Sequence, residues 1–431
     1  MKDFIFSLVS ALKDFLFSIS LVSAFINTIL AVVTYIKDHG IKNLKDAGRT
    51  YHVVLVILFV LMAWGLTSWI RIMFIEGAGI TGSSDLVPWG VFIIVFVFAV
   101  GTSAGASLMG LMIHGFGRHD YHPIGTRAII VGLCSLIIAV LCLVSDVGNP
   151  IRAGLLPAVL HNPTSALVLT SISYALFASV MLVELFFALK ITLQGGEGSH
   201  WDEIMAKVSA VGALCFALIV VHAPHGALFA VLKARHSWNT ALLPPHFVVV
   251  ALASGVALMI FISITTAKLS KRELVSEKTL ANMGTLLAFF LGGTLFMDFF
   301  DFVVMNYAAT PGGLHTWHYL TGRFLPLFLV NTVGMATAMV MMFFKRGRTI
   351  PGLYIASIIT ILSILAYRTN LVMMAQVPPL FPGTGEIYYI PTLPEMGVVA
   401  GIVGGAIFLY LVLTRVLPIE ETIQGNLVSD D

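Results

Sequence analysis

Charge is scarce in this sequence. Lys, Arg, Asp and Glu make up 11% of its 431 residues, whereas a soluble domain carries about 25%. Hydrophobic residues reach 58%, and the mean hydropathy is +0.96. That deficit excludes an ordinary water-soluble fold. No stretch between apolar runs is long enough to form a domain outside a membrane. Activity must therefore take place within the bilayer or through partner chains. A net charge of +2 leaves no basic surplus to hold nucleic acid. Cysteine is nearly absent too: Cys134, Cys142 and Cys215 all sit inside apolar runs, with no CxxC and no Cys/His ligand spacing. This argues against an iron–sulfur cluster or structural zinc on the chain and reads as buried, inert thiols.

Long apolar runs are what the sequence has instead. A helix needs roughly 20 apolar residues to cross a hydrocarbon core about 30 Å thick. Such runs recur at about 52–75, 88–113, 124–146, 166–193, 206–232, 246–267, 283–305, 323–344, 350–373 and 394–416. The fold class is all-α, a polytopic membrane protein of about ten transmembrane helices. FLFSISLVSAFINTILAVVTYI at 15–36 is an eleventh candidate, for which a true span and an interfacial helix both fit. The chain divides into an amphipathic or membrane helix region at 1–50, a transmembrane domain at 51–419 and a tail at 420–431. Basic residues near helix ends collect on one side, among them Lys37, Lys42, Lys45, Arg127, Lys190, Lys268, Arg348 and Arg415. By the positive-inside rule that side, with the C-terminus, faces the cytoplasm, so the protein is placed in the cytoplasmic membrane.

Ionisable groups at membrane depth cost at least about 2.5–3.5 kcal/mol each and mark function or interior packing. Here they lie mostly toward the outer face: Arg71, Asp146, His222, His225, His246, Asp301, Arg323, Arg368 and Glu395. Asp298 falls near mid-depth, and Glu184 lies deeper toward the cytoplasm. In VVHAPHGALF (220–229), His222 and His225 share a helix face, and Pro224 leaves the Val220 carbonyl without its usual donor. A broken helix carrying two imidazoles suits a small polar ligand, a proton relay or a metal. A packing kink whose histidines bond nearby carbonyls is the plainer alternative. Asp298 and Asp301 also share a face; proton transfer competes with pairing to Arg323 or Arg368. For Glu184, a proton-path role competes with a hydrogen bond to a neighbouring helix. Gly101 and Gly105 form a small-xxx-small pattern for close helix packing. The Met-rich run AMVMMFF reads as lipid-facing or core filler. Trp64, Trp69, Trp89, Trp238 and Trp317 read as an outer aromatic belt.

Several motifs, in order, resemble one family. GSSDLVPWGVFI at 82–93 and VGTSAGAS at 100–107 look like the start of the NrfD/polysulfide reductase membrane-subunit family. SDVGNPIRAG at 145–154 resembles that family's Asp-x-Gly-Arg-Pro-x-x-Arg-like signature, with Asn149 where Arg is common and Arg152 as the downstream basic residue. VVHAPHGALF, SWNTALLPPHFVVVALASG at 237–255, YYIPTLPEMGVVAG at 388–401 and RVLPI at 415–419 look like its ten-helix branch. That branch includes the Dsr/Hme complex membrane subunit, the hydrogenase-2 membrane subunit and the alternative complex III quinol subunits. The resemblance covers roughly 50–419.

It implies a quinone-reactive subunit built around two four-helix bundles, carrying no haem or iron–sulfur cluster of its own. Its quinone, with menaquinone the expected species, binds near the outer face beside a ferredoxin-like iron–sulfur subunit. Further redox subunits, a cytochrome or a catalytic chain, complete the assembly. On this reading His222, His225, Asp146, Trp89, Arg152 and His246 border the quinone. Glu184, Asp298, Asp301, Arg368 and Glu395 serve a proton path, and no residue binds metal. Two rival functions stand beside it. A dihaem cytochrome b-type subunit needs matched histidine pairs on facing helices. A proton-coupled secondary transporter needs paired helix interruptions in inverted halves.

Overall fold

The structure, a computed structural model, describes residues 23–148, 166–195, 198–270, 275–378 and 385–419. Its helices are α1 (23–35, prolonged by a π-turn at Ile36–Gly40 and by Ile41–Lys45), α2 (Arg49–Ile70), α3 (Val91–Gly110), α4 (His122–Asp146) and α5 (Ala166–Leu193). Then follow α6 (His200–Cys215, Phe216–His222 and Ala223–Ala230 in sequence), α7 (Leu243–Ser270) and α8 (Glu277–Ala308). The last are α9 (Pro311–Thr321), α10 (Leu325–Phe343), α11 (Ile350–Met374) and α12 (Leu393–Val416). No strand occurs among the described residues. All but α1 and α9 are long and apolar enough to cross a membrane, ten in total. We call the basic-rich end of the spans the inner face.

Local signals set the helix ends. Ser199 and Asp202 form a reciprocal capping box at the start of α6, and Thr392 with Glu395 does so at α12. Proline occupies the first turn of α4, α9, α10, α11 and α12, where its missing N–H costs nothing.

Helices α3, α4, α5 and α6 pack as one four-helix bundle, and α7, α8, α10 and α11 as a second. The crossing of α3 on α7 joins them, while α2 and α12 pair with each other and lean on α4. Central α3 has 83% of its apolar window buried inside the protein, against 17% for α2. Gly105 allows the crossing: a Cβ there would stand 2.3 Å from the Ala251 carbonyl oxygen and 2.6 Å from Gly255 Cα. The small-residue pattern on α3 is thus a packing seam between bundles, as its spacing predicts. Met335 and Met342 are fully buried in the second bundle and act as core filler.

Two expectations are changed by the packing, and Cys215 gives the first: it is exposed rather than buried. Trp238 is 3% exposed and belongs to no interfacial belt; it is enclosed with Trp89 and Phe229. Segment 420–431 and Arg152 lie outside the described residues.

Candidate functional site

The break in α6 takes a specific form. Phe216–His222 is a seven-residue π-helix ending one residue before the α-helical Ala223–Ala230, whose second position is Pro224. Widening the helix there exposes carbonyl oxygens, and the two imidazoles cover them. His222 Nδ1 lies 3.0 Å from the Ala217 oxygen, and His225 Nδ1 lies 2.7 Å from that of Val221. Because a carbonyl only accepts, both rings carry their proton on Nδ1 and present Nε2 as an acceptor. His225 Nε2 takes the hydroxyl of Tyr174 on α5, with the Phe96 ring 5.5 Å away. His222 Nε2 is buried with no hydrogen-bond partner. The structure thus combines the two accounts of this motif: each histidine packs through one nitrogen, and one keeps a free, directed acceptor.

In the second bundle, His246 on α7 bridges two helices. Its Nε2 is 2.8 Å from Asp298 Oδ1 of α8, and its Nδ1 accepts the Tyr367 hydroxyl of α11 at 2.9 Å. Asp301, one turn farther out, accepts the Thr240 hydroxyl at 3.1 Å. The two acids therefore pair with His246 and Thr240, not with Arg323 or Arg368; Arg323 stacks on the Tyr388 ring at 3.6 Å. These groups line a cavity of about 90 Å³ that also takes in Asn331, Asn370 and Met374. Such a volume admits several waters, and the lining offers them partners.

Arg368 stands between the two groups. It is 1% exposed, has no salt-bridging carboxylate among the described residues, and rests over Phe247 at 4.2 Å and Tyr367 at 5.2 Å. Its Nε and Nη1 have no partner, nor do the side-chain atoms of neighbouring Asn370. Both α6 imidazoles are within electrostatic range of its charge. Trp89, Phe229 and Trp238 form a ring cluster on the outer side with centroids 5.2–5.3 Å apart, Phe229 standing edge to face with both indoles. Gln376 ties Trp89 in place, accepting its N–H at 3.0 Å and donating to its carbonyl at 2.9 Å. Trp238 donates its indole N–H to the Leu371 carbonyl at 2.6 Å.

Other predicted residues fall elsewhere. Asp146 lies within electrostatic range of Glu395 and Tyr389, on the α4–α12 side. Glu395 is fully enclosed, accepting from Gly82 N at 3.0 Å, Thr392 N at 2.8 Å and the Tyr389 hydroxyl at 2.9 Å. It ties the 78–90 loop to α12. Glu184 lies in the inner half of the first bundle against Gly110, where an added Cβ would come within 2.4 Å of its Oε1. Its Oε2 has no partner. Sequence reasoning missed Tyr174, Tyr367, Asn370, Gln376 and the enclosure of Trp238. Polar residues inside apolar runs were the available signal, but tyrosine and asparagine occur at span ends for many reasons.

Comparison with known proteins accords with this architecture. The family model described as "Polysulphide reductase, NrfD" matches residues 79–379. The chain belongs to this family. It is 25% identical over 409 residues to a selenate reductase subunit of Mesobacillus selenatarsenatis, covering 84% of this chain and 93% of that protein. It is 24% identical to the integral membrane subunit of menaquinone reductase from Nitratidesulfovibrio vulgaris, covering 85% and 91%. It is also 24% identical to the probable Ni/Fe-hydrogenase 2 b-type cytochrome subunit of Escherichia coli, covering 81% and 88%. The NrfD match takes in α3 to α11 and all of the outer ionisable groups except Arg71 and Glu395.

Proposed function

We propose that this NrfD-family chain is the quinone-reactive membrane subunit of a respiratory oxidoreductase complex, with menaquinone as its substrate. The observation that carries the reading is the pairing of unsatisfied buried groups at the junction of the bundles. His222 Nε2 is a free acceptor; Arg368 Nε and Nη1 are free donors. A buried polar atom without a partner costs about 1–3 kcal/mol, more when charged, so a ligand bearing both an acceptor and a donor suits this place. A quinone ring carries carbonyl acceptors that become hydroxyl donors on two-electron reduction. Arg368 would hold and polarise a ring oxygen, and His222 would accept or return a proton at Nε2. His225 and Tyr174 fix the imidazole side, and Trp89, Phe229 and Trp238 shield the site from outside water. The relative named menaquinone reductase supports the choice of quinone.

Electrons would pass to or from an iron–sulfur subunit docked at the outer face, with further redox subunits beyond it. Proton movement would use His246, Asp298 and Asp301, whose cavity adjoins Arg368. Glu184 belongs to the other bundle, about 15 Å inward of Tyr174 along α5, with Phe177 and Met181 between. An inward route from Glu184 therefore runs apart from Asp298. In proteoliposomes of the complex, Asp298→Asn should lower proton release per electron; an unchanged ratio would leave Asp298 a structural partner of His246.

A bis-histidine haem fits less well, although one relative is named a b-type cytochrome subunit. The outward nitrogen of His225 takes the Tyr174 hydroxyl and that of His246 stands 2.8 Å from the Asp298 carboxylate, so of the three only His222 Nε2 has neither a hydrogen bond nor an ion pair. The test of the quinone site is His222→Gln and His222→Leu in the assembled complex. Both should weaken quinone-linked turnover by at least about tenfold, the scale of one buried hydrogen bond. Normal turnover and quinone affinity in both variants would sink the assignment.

A further inference from the structure

The first described helix, α1, raises a question separate from the redox site. Its residues 25–33 are apolar and face outward: Phe25, Ile26, Ile29, Leu30 and Val33 are 38–57% exposed. Lys37, Lys42, Lys45 and then Arg49 follow, all exposed, with Asp38 and Asp46 the only acids among residues 37–49. None of these four cations is in a salt bridge among the described residues.

Two contacts fix its depth. At one end Gly40 abuts the close of α12, where an added Cβ would stand 2.6 Å from the Val416 carbonyl oxygen. At the other end the Phe25 ring lies 5.1 Å from that of Phe186 on α5. Phe186 is four residues before Lys190 and seven before Leu193, the last residue of α5, hence roughly 6–10 Å below the inner face at 1.5 Å per residue. The helical path from Lys37 back to Phe25 is longer, about 18 Å for twelve residues. A helix crossing the membrane would descend by its full path, but this one descends by about half of it or less. It therefore lies obliquely within one leaflet, along the edge of the first bundle from α12 to α5. That is the habit of a monotopic helix, whose apolar part sits among acyl chains while its cations stand at the headgroups.

We propose that residues 23–49 are a leaflet-embedded anchor that binds anionic phospholipid headgroups through Lys37, Lys42, Lys45 and Arg49, with Arg415 of α12 beside them. Arg415 reaches this place because its guanidinium lies 5.5 Å from the ring of Tyr51, two residues beyond Arg49. Over residues 37–49 four cations stand against two acids and give the patch its sign, and the hydrocarbon-facing residues before it place that charge at headgroup level. An acidic protein partner would not need the outward apolar face of 25–33, which favours lipid.

Each cation near an anionic leaflet contributes about fivefold in affinity, so removing three should cost on the order of 100-fold. The purified full chain in its complex is titrated with phosphatidylglycerol and, separately, with phosphatidylcholine, and bound lipid is counted by native mass spectrometry. The wild type should retain phosphatidylglycerol preferentially, and the Lys37→Gln, Lys42→Gln, Lys45→Gln triple variant should lose that preference. Equal retention of the two lipids by the wild type, or undiminished preference in the variant, overturns the proposal. All three lysines lie outside the core and, among the described residues, outside any salt bridge, so the variant keeps the packing of α1. A second measurement stands apart from lipid choice: nitroxides at Ile26→Cys and Ile41→Cys, in a Cys215→Ser background, should both report depths within the inner leaflet. A midplane or outer-leaflet depth at position 26 would make the segment a span and end the reading.

Discussion

At the scale of single residues, Arg368 is the most costly feature of the fold. A guanidinium removed from water, with no ion-paired carboxylate among the described residues, rests here on aromatic faces worth about 0.5–2 kcal/mol. Desolvation of an ion costs several kcal/mol. Replacing it by Met, of similar length and no charge, should therefore leave thermal stability unchanged or raise it, while quinone-linked turnover falls by at least about tenfold. Measuring the melting temperature beside turnover separates the cases: a marked loss of stability would make Arg368 a structural residue. Trading stability for a ligand contact is a common signature of a functional site. His222 and Arg368 could be singled out from sequence as ionisable groups in apolar runs. That one supplies a free acceptor and the other free donors could not, since this depends on which partners each fails to meet.

Among elements, the α3–α7 seam and the loop after α11 give contrasting tests. Gly105→Val would drive its side chain into the Ala251 carbonyl and the Gly255 backbone, which cannot yield as a side chain tip can. A loss of about 3 kcal/mol or more is expected, read as a lower unfolding midpoint. Gly212→Ala on α6, whose nearest neighbour would be Val180 at 3.7 Å, should be tolerated. Similar loss in both variants would show that the seam has no special role. Glu386 accepts hydroxyls from Tyr319 of α9 and from Tyr388, and these hold its carboxyl below the ordinary value of 4.5. A depressed acid stabilises the folded loop above its unfolded value and loses that effect as pH falls through the folded one. Hydrogen exchange over 385–390 should therefore quicken, beyond its intrinsic pH trend, only below about pH 4.5, and Glu386→Gln should abolish that step. A pH-independent loop in the wild type would refute the coupling. Legibility differed between these elements. Gly101 and Gly105 announced a packing seam by their spacing, whereas nothing in the sequence paired α9 with residue 386.

Over the whole molecule, sidedness is the decisive expectation. Residues 267–282 carry Lys268, Lys271, Arg272 and Lys278, whereas 374–393 has no basic residue. Cysteine at Glu277 and at Thr310, in a Cys215→Ser background, should label from opposite sides of sealed membranes, with position 277 cytoplasmic. Labelling from the same side would break the topology, and position 310 cytoplasmic would invert it. The proposed quinone site would then face the other compartment and require a different electron partner. The ten spans, the all-α class and the close-packing pattern on α3 were determined by the sequence alone. Each depends on what lies along one helix: apolar length and small-residue spacing. Tertiary structure decided that Asp298 serves His246, that Asp146 comes within electrostatic range of Glu395 and Tyr389, that Trp238 is enclosed, and that α1 lies along the edge of the first bundle. Periodicity fixes the depth of a side chain along its own helix, but not which of the other spans its face will meet. Those meetings are settled only when the helices pack, between side chains carried on different spans.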